Sequence, residues 1–209
     1  REASARARTM AALAGGYASV LLALPALDAA TIRYVGIGSN LSPSLMARRV
    51  GGDLRAHEPC VVPGHRLAFT ALGGGPEPAF ASLEEALPGA DRACHGVLYT
   101  LSIPQFLRLC ASEAVPVGYS VVPVTAQTYA GEALGACALR AGGPGLLVEG
   151  LVGRERLLPS KRYIDAMLAG AEEAGVDPTW RTHLQGIAAR VREQRARPFP
   201  GPVRSRAGG

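Results

Sequence analysis

The run Ile37-Gly38-Ser39-Asn40-Leu41 and the distant carboxylate of Glu113 are the residues of this chain best suited to chemistry. An apolar strand that stops in Gly-Ser-Asn, just before a helix start, presents backbone N–H groups to an anion. Gly38 lets a ligand approach the main chain closely, and Ser39 and Asn40 add short polar side chains. Glu113 stands before Ala114-Val115-Pro116-Val117, an almost wholly apolar stretch. A carboxylate at an apolar junction is partly stripped of water, which suits it to proton transfer near neutral pH. A solvated Glu in a surface loop fits the same local sequence.

The remaining candidates are poorer. His57, His65, His95 and His183 are scattered, and no Gly-x-Ser-x-Gly elbow is present. Gly36-Ile37-Gly38 begins a dinucleotide-type pattern, but Leu41 occupies the place of its third glycine. Glu84-Glu85 and Glu172-Glu173 read as solvated charge rather than catalytic pairs. No Cys or His spacing predicts a metal site, and no cofactor is expected.

These residues need elements to hold them. Ile32–Ile37 reads as a buried strand, and Ser42-Pro43-Ser44 starts a helix that runs to about Val50. Val61-Val62-Pro63-Gly64 reads as a turn entering a strand at Arg66–Leu72. The run 73–76 is a loop, Ala79–Ser82 a short strand and Pro88–Arg92 a polar turn. Gly96–Leu101 is a strand by its β-branched and aromatic residues, and Pro104–Glu113 follows as a helix. Tyr119–Tyr129 is a strand, turned by Gly131-Glu132 into Leu134–Leu139. Pro159-Ser160 opens a helix over Lys161–Ala174 that Gly175 stops. Asp177-Pro178 opens a second, with Trp180, Leu184, Ile187 and Val191 on one face. Strands in front and helices behind predict an α+β domain over residues 31–191, a curved sheet or small mixed barrel with flanking helices. Residues 192–209 read as a basic, Pro/Gly-rich tail.

At 209 residues with 48 % hydrophobic content, the chain has the size and composition for one sizeable core. A net charge of +5 raises the question of nucleic acid. The basic residues concentrate near Arg1–Arg8, Arg48–Arg55 and Arg181–Arg206 rather than in one patch, and aromatics make up only 5 %, so the stacking platforms of a nucleic-acid groove are missing. Cys60, Cys94, Cys110 and Cys137 have no Cys-x-x-Cys spacing and read as buried free thiols, with a disulfide left open.

Residues 1–30 have a character of their own. Arg1, Arg6 and Arg8 precede an uncharged, Ala/Leu-rich run over residues 9–27, which exits through Asp28-Ala29-Ala30. Basic start, apolar run and small-residue exit make a targeting pattern. The run reaches the length of a spanning helix, about 18 residues, although Gly15, Gly16 and Pro25 interrupt it. The expectation is a targeting remnant or short membrane anchor on an imported organellar protein, with a chloroplast thylakoid membrane as one destination. The alternative is a cytoplasmic protein in which this stretch is a buried or flexible leading segment of the domain.

Three blocks, in order, resemble the γ-glutamylcyclotransferase family, in the group whose loop reads Tyr-Gly-Ser-Asn. They are Ile37–Leu41; Gly96–Tyr99, Glu113 and Gly118–Val122; and Pro159–Tyr163, Gly170–Gly175, Leu184 and Ile187. The resemblance implies a small barrel with flanking helices and Glu113 as the single general acid/base. It implies a small γ-glutamyl substrate contacted by Ile37, Gly38, Ser39, Asn40, Leu41 and Tyr119. The reaction would release 5-oxoproline and a free amine, with the substrate's own α-amino group as nucleophile. Ile37 stands where the motif has its Tyr, and Leu139-Arg140 follow Cys137 where relatives carry an aromatic. Ile37, the anchor-like N-terminus and the basic, Pro-rich tail motivate, as the alternative, a non-catalytic member of the fold acting as an interaction subunit of an organellar membrane protein complex.

Overall fold

The computed structural model describes residues 31–74, 76–86, 89, 93–142 and 157–196. Residues 1–30, with their anchor or targeting expectation, lie outside the described residues, as do most of the 88–92 turn and residues 197–209. Among the described residues no helix is long and apolar enough to cross a membrane.

The described residues form seven strands and four helices. They are β1 Thr31–Gly36, α1 Pro43–Val50, β2 Ala56–Val62, β3 His65–Leu72, β4 Ala79–Glu85, β5 Cys94–Ser102, α2 Ile103–Ser112, β6 Tyr119–Thr128, β7 Ala133–Ala141, α3 Lys161–Glu173 and α4 Pro178–Ala196. A 3-10 turn, Ser39–Leu41, joins β1 to α1. Five strands close a barrel in the order β1-β5-β2-β6-β7, and β3 and β4 form a separate two-stranded sheet. Every barrel contact is antiparallel except β1 against β7, where Tyr34 faces Cys137 and Val35 faces Ala138. The expected α+β barrel with flanking helices is therefore the fold.

The elements differ from expectation in three places. Strand β2 was not expected, because His57-Glu58-Pro59 breaks the apolar alternation. Proline is tolerated there because β2 meets β6 only at Cys60 and Val61, so Pro59 has no donor to lose on that side. Val61 and Val62 end this strand, and the turn is Pro63-Gly64 alone. Strand β4 runs on to Glu85 because Glu84 and Glu85 pair with Arg66 and His65 of β3. Helix α4 continues to Ala196, so the first residues assigned to the tail are helical.

The core fills the barrel and the gap between barrel and helices. Tyr34, Val35, Tyr99 and Leu101 from the barrel, Phe106 and Leu109 from α2, Met46 from α1, and Ile164 and Met167 from α3 are all buried. On α4 the expected face of Trp180, Leu184, Ile187 and Val191 is buried as well. The four cysteines are free and buried. Burial pushes the Cys60 and Cys110 thiols up to about 12, so neither is a thiolate nucleophile at neutral pH.

Candidate active site

The site begins where β1 ends. Ser42 caps α1 by accepting the Leu45 N–H, and the Ser39–Leu41 turn carries the chain from Gly36 to that cap. Glu173, at the far end of α3, locks the same cap from outside. It accepts hydrogen bonds from the Ser42 hydroxyl (2.6 Å) and the Ser44 N–H (2.7 Å). Its negative charge thus lies at the positive end of α1. Glu173 is therefore a fastener between two helices rather than simply solvated charge. Helix α3 comes this close only because residue 170 is glycine. A Cβ there would lie 2.6 Å from the Ser42 nitrogen.

Glu113 arrives from the other side. Helix α2 starts at Ser102 with a full capping box to Gln105 and carries Phe106, Leu107, Leu109 and Cys110 into the core. Its last turn closes by bonds from the Ala114 N–H to the Ala111 carbonyl and from the Val115 N–H to the Cys110 carbonyl. That pattern places Ala114 in the left-handed region, at φ 52°, where glycine is usual. The result fixes Glu113 as the helix C-cap, with its side chain turned toward Asn40 and Arg49.

The carboxylate does not lie in an apolar junction. Arg49 of α1 forms an ion pair with its Oε1, and Asn40 Nδ2 donates to the same oxygen at 3.0 Å. Arg49 also donates to Asn40 Oδ1 (2.5 Å) and to the Ser39 hydroxyl (3.1 Å). A guanidinium only donates and a carboxylate, when charged, only accepts, so the two ions fix which way the Asn40 amide points. Asn40 is buried, and its second Nδ2 hydrogen goes to the Tyr34 hydroxyl at 3.0 Å. The Tyr99 hydroxyl holds the Asn40 carbonyl at 2.8 Å. No described residue bonds Glu113 Oε2.

A cavity of about 530 Å³ opens against this network. One wall carries Ser39, Arg49 and Glu113. A second comes from the β3–β4 sheet, with Thr70, Ala71, Leu72 and Phe80, and a third from α3, with Arg162, Tyr163 and Ala166. Gly118 and Tyr119 of β6 and its approach, with Ser112, Ala114, Ala141 and Gly142, line the remainder. Glu113 is the sole carboxylate among the described lining residues.

The sequence-selected residues separate into wall and support. Ser39, Glu113 and Tyr119 line the cavity. Asn40 sits behind the carboxylate as its holder, and Ile37 and Leu41 are buried in the core. Tyr119 neither orients Glu113 nor offers its proton to a ligand. Its hydroxyl donates to the Ala81 carbonyl at 2.9 Å and so ties barrel to hairpin. Gly38 makes room for a side chain rather than a ligand. A Cβ at Gly38 would lie 2.4 Å from the Tyr163 hydroxyl and 2.9 Å from Ala81 Cβ. That hydroxyl accepts from the Ser39 N–H (3.4 Å) and the Ala81 N–H (3.3 Å), so the Ser39 amide is already engaged. Burial, foremost, raises the Tyr34, Tyr119 and Tyr163 hydroxyls, which stay neutral near pH 7.

Sequence reasoning missed Arg49 and Tyr163 as site residues. Arg49 lies three residues after Met46, on the edge of the face that α1 buries. A charge at a core-facing helical position was the available signal. Tyr163 stands three residues after its helix cap. Its N–H bonds to the Ser160 hydroxyl, and Ser160 is in turn bonded through both N–H and hydroxyl to buried Glu77 (2.7 and 2.6 Å). Among the described residues no group of His, Cys, Asp and Glu side chains converges as a metal site.

No protein-family model and no curated protein matches the sequence. Solved structures do match. An uncharacterized protein, loc79017, from Homo sapiens aligns at 18 % identity and TM-score 0.60, over 74 % of this chain and 86 % of its own. A structure described as gamma-glutamyl cyclotransferase aligns at 16 % identity and TM-score 0.60, over 78 % of this chain and 99 % of its own. YkqA from Bacillus subtilis aligns at 18 % identity and TM-score 0.61, over 76 % of this chain, which spans about half (54 %) of YkqA. At these identities the likeness establishes the fold, which is that of the γ-glutamylcyclotransferase-like proteins.

Proposed function

We propose that this chain is a γ-glutamylcyclotransferase-like enzyme that releases 5-oxoproline from γ-glutamyl amides. One observation carries the reading. The single carboxylate among the described lining residues, Glu113, faces a cavity beside Ser39 and Arg49, with one of its oxygens unbonded by the described residues.

The chemistry follows from that arrangement. The substrate's α-ammonium gives a proton to Glu113. The freed amine nitrogen attacks the γ-carbonyl carbon and closes the five-membered ring as a tetrahedral adduct. The bond from that carbon to the leaving nitrogen then breaks as Glu113 returns the proton to that nitrogen. The carboxylate next takes the surplus proton from the ring nitrogen and passes it to the freed amine, so the products are the neutral lactam and a protonated amine. One carboxylate thus serves as base and then as acid. Nucleophile and electrophile belong to one molecule, so holding the glutamyl group folded supplies much of the rate. The contacts to Arg49 and Asn40 fall on Oε1, which leaves Oε2 for the proton.

The test measures 5-oxoproline from a panel of γ-glutamyl dipeptides and amines. Glu113→Gln is expected to lose at least ~10²-fold in kcat, as befits a general base. Arg49→Ala should lower kcat with a smaller change in KM, and Arg49→Lys should recover part of it, because the cation holds the base in place. No product from the wild type across the panel overturns the proposal. A second reading has one observation in its favour, the direct ion pair between Arg49 and Glu113. A cavity whose carboxylate is committed to a structural pair binds its ligand without turnover. Ligand affinity unchanged in Glu113→Gln, with no product from the wild type, selects that reading.

A further inference from the structure

The cavity has unlike ends. Charge and hydrogen-bonding groups gather on the Ser39, Arg49 and Glu113 wall. On the hairpin and α3 walls Ala71, Leu72, Phe80 and Ala166 are apolar, and Arg162 is the one charged residue among the described lining residues there. Phe80 and Ala71 are directly paired across β3 and β4, so their side chains share one face of that sheet. The Tyr163 ring meets the Phe80 ring edge-on, with centroids 5.4 Å apart. Ala166 follows Tyr163 by three residues on α3, on the same side of the helix, and is exposed. The hydroxyl on the hairpin wall, Thr70, already donates to Glu84 at 2.7 Å. Leu72, which also lines the cavity, keeps 49 % of its surface exposed.

An ammonium placed against Phe80, Ala71 and Ala166 would lose water and find no carboxylate, because Glu113 is the sole one among the described lining residues. A carboxylate there would have only Arg162, which already stands 3.8 Å from Glu77. The glutamyl head, which carries both, therefore belongs on the Glu113 wall. What remains for the other end is a group that profits from an aromatic face flanked by two small residues. We propose that the amine released by this enzyme is bulky and apolar, seated on Phe80 in the space that Ala71 and Ala166 leave open. This inference rests on the cyclisation reading and adds to it the class of the leaving amine.

The test compares γ-glutamyl-glycine, γ-glutamyl-glutamate and γ-glutamyl-leucine as substrates of the full chain. One or more extra methylenes in an apolar subsite are worth about tenfold or more in kcat/KM, so γ-glutamyl-leucine should exceed γ-glutamyl-glycine by at least about tenfold. Ala166→Glu puts a charge into the subsite from an exposed helical position and should remove that preference, whereas Ala166→Ser should keep it. Binding of the same three compounds to Glu113→Gln by calorimetry gives a readout independent of turnover, with Ala166→Glu added as its control. Equal kcat/KM for all three, or a preference unmoved by Ala166→Glu, overturns the apolar subsite and leaves the cyclisation standing. Absence of 5-oxoproline, with γ-glutamyl-leucine still bound at least about tenfold more tightly in an Ala166-dependent way, overturns the cyclisation and supports the subsite. Absence of both product and preferential binding overturns the two together.

Discussion

The contact between Gly38 and the Tyr163 hydroxyl links the turn beside Glu113 to the helix that forms one cavity wall, and a double-mutant cycle isolates it. In Gly38→Ala the new Cβ would stand 2.4 Å from the hydroxyl oxygen and 2.9 Å from Ala81 Cβ, so the ring and the turn must part. Overpacking of that kind costs about 1–3 kcal/mol. Displacing the hydroxyl also strips the Ser39 and Ala81 N–H groups of their acceptor. Those bonds are long, at 3.4 and 3.3 Å, so about 0.5–1 kcal/mol each is appropriate. Gly38→Ala should therefore lower stability by about 2–5 kcal/mol. Tyr163→Phe loses the same two bonds without a clash, about 1–2 kcal/mol. In the double variant the hydroxyl is gone and the Cβ meets only the ring carbon at 3.5 Å and Ala81. The double variant should then be more stable than the sum of the singles predicts, by at least about 1 kcal/mol. Urea unfolding at 25 °C reads this directly, and a constant m-value certifies that the unfolded states are comparable. Additivity within about 0.5 kcal/mol would refute the idea that Gly38 is small for the sake of Tyr163.

Two further outcomes follow from the same geometry. Ala114 holds φ 52° in the turn that presents Glu113. A left-handed residue with a Cβ costs about 1–2 kcal/mol, so Ala114→Gly should stabilise by about 0.5 kcal/mol after the extra chain entropy of glycine. Ala114→Val should destabilise by more than 1 kcal/mol, both read by thermal unfolding. Glu173 carries a pH signature. Burial pushes its carboxyl up, but bonds from Ser42 and Ser44 and the charge of Arg48 outweigh this, and the net shift is downward from 4.5. A carboxyl lowered in the folded state stabilises at pH above its unfolded value, and loses that contribution as pH falls through the folded one. Stability should accordingly decline below about pH 4.5, and Glu173→Gln should decline less steeply over that window. Identical pH slopes for the two proteins would show that the Ser42–Glu173 fastener contributes nothing to stability.

The sequence reached most of the frame because local chemistry writes it. A short apolar run bounded by glycine marked β1, β-branched and aromatic residues marked β5 and β6, and a glycine turn led into β7. Proline-containing starts and helical spacing placed the starts of the four helices within a residue or two, while α4 runs on past the expected end at about 191 to Ala196. Where the reading failed, a non-local partner decided. Pro59 sits in a strand because β6 leaves that edge unpaired, and Glu84 and Glu85 extend β4 because β3 carries Arg66 and His65 opposite them. The cavity residue Glu113 and the Ser39 turn were both legible, one as a lone carboxylate before an apolar stretch, the other as a small-residue turn after a strand.

By itself the sequence determined the element types, the closing helices, the buried thiols and the two segments that matter to the site. Each depends on residues a few positions apart, where periodicity, caps and turn chemistry act. Tertiary structure decided which groups meet. It brought Arg49 to Glu113 across 64 positions and Tyr163 to Ser39 across 124, and it moved Asn40 from the cavity wall to the post behind the carboxylate. Such pairings leave almost no local trace, because a hydroxyl or guanidinium finds its partner through the fold, and only the closed barrel with α3 packed on Gly38 and, through its own Gly170, on Leu41 and Ser42 makes those distances short.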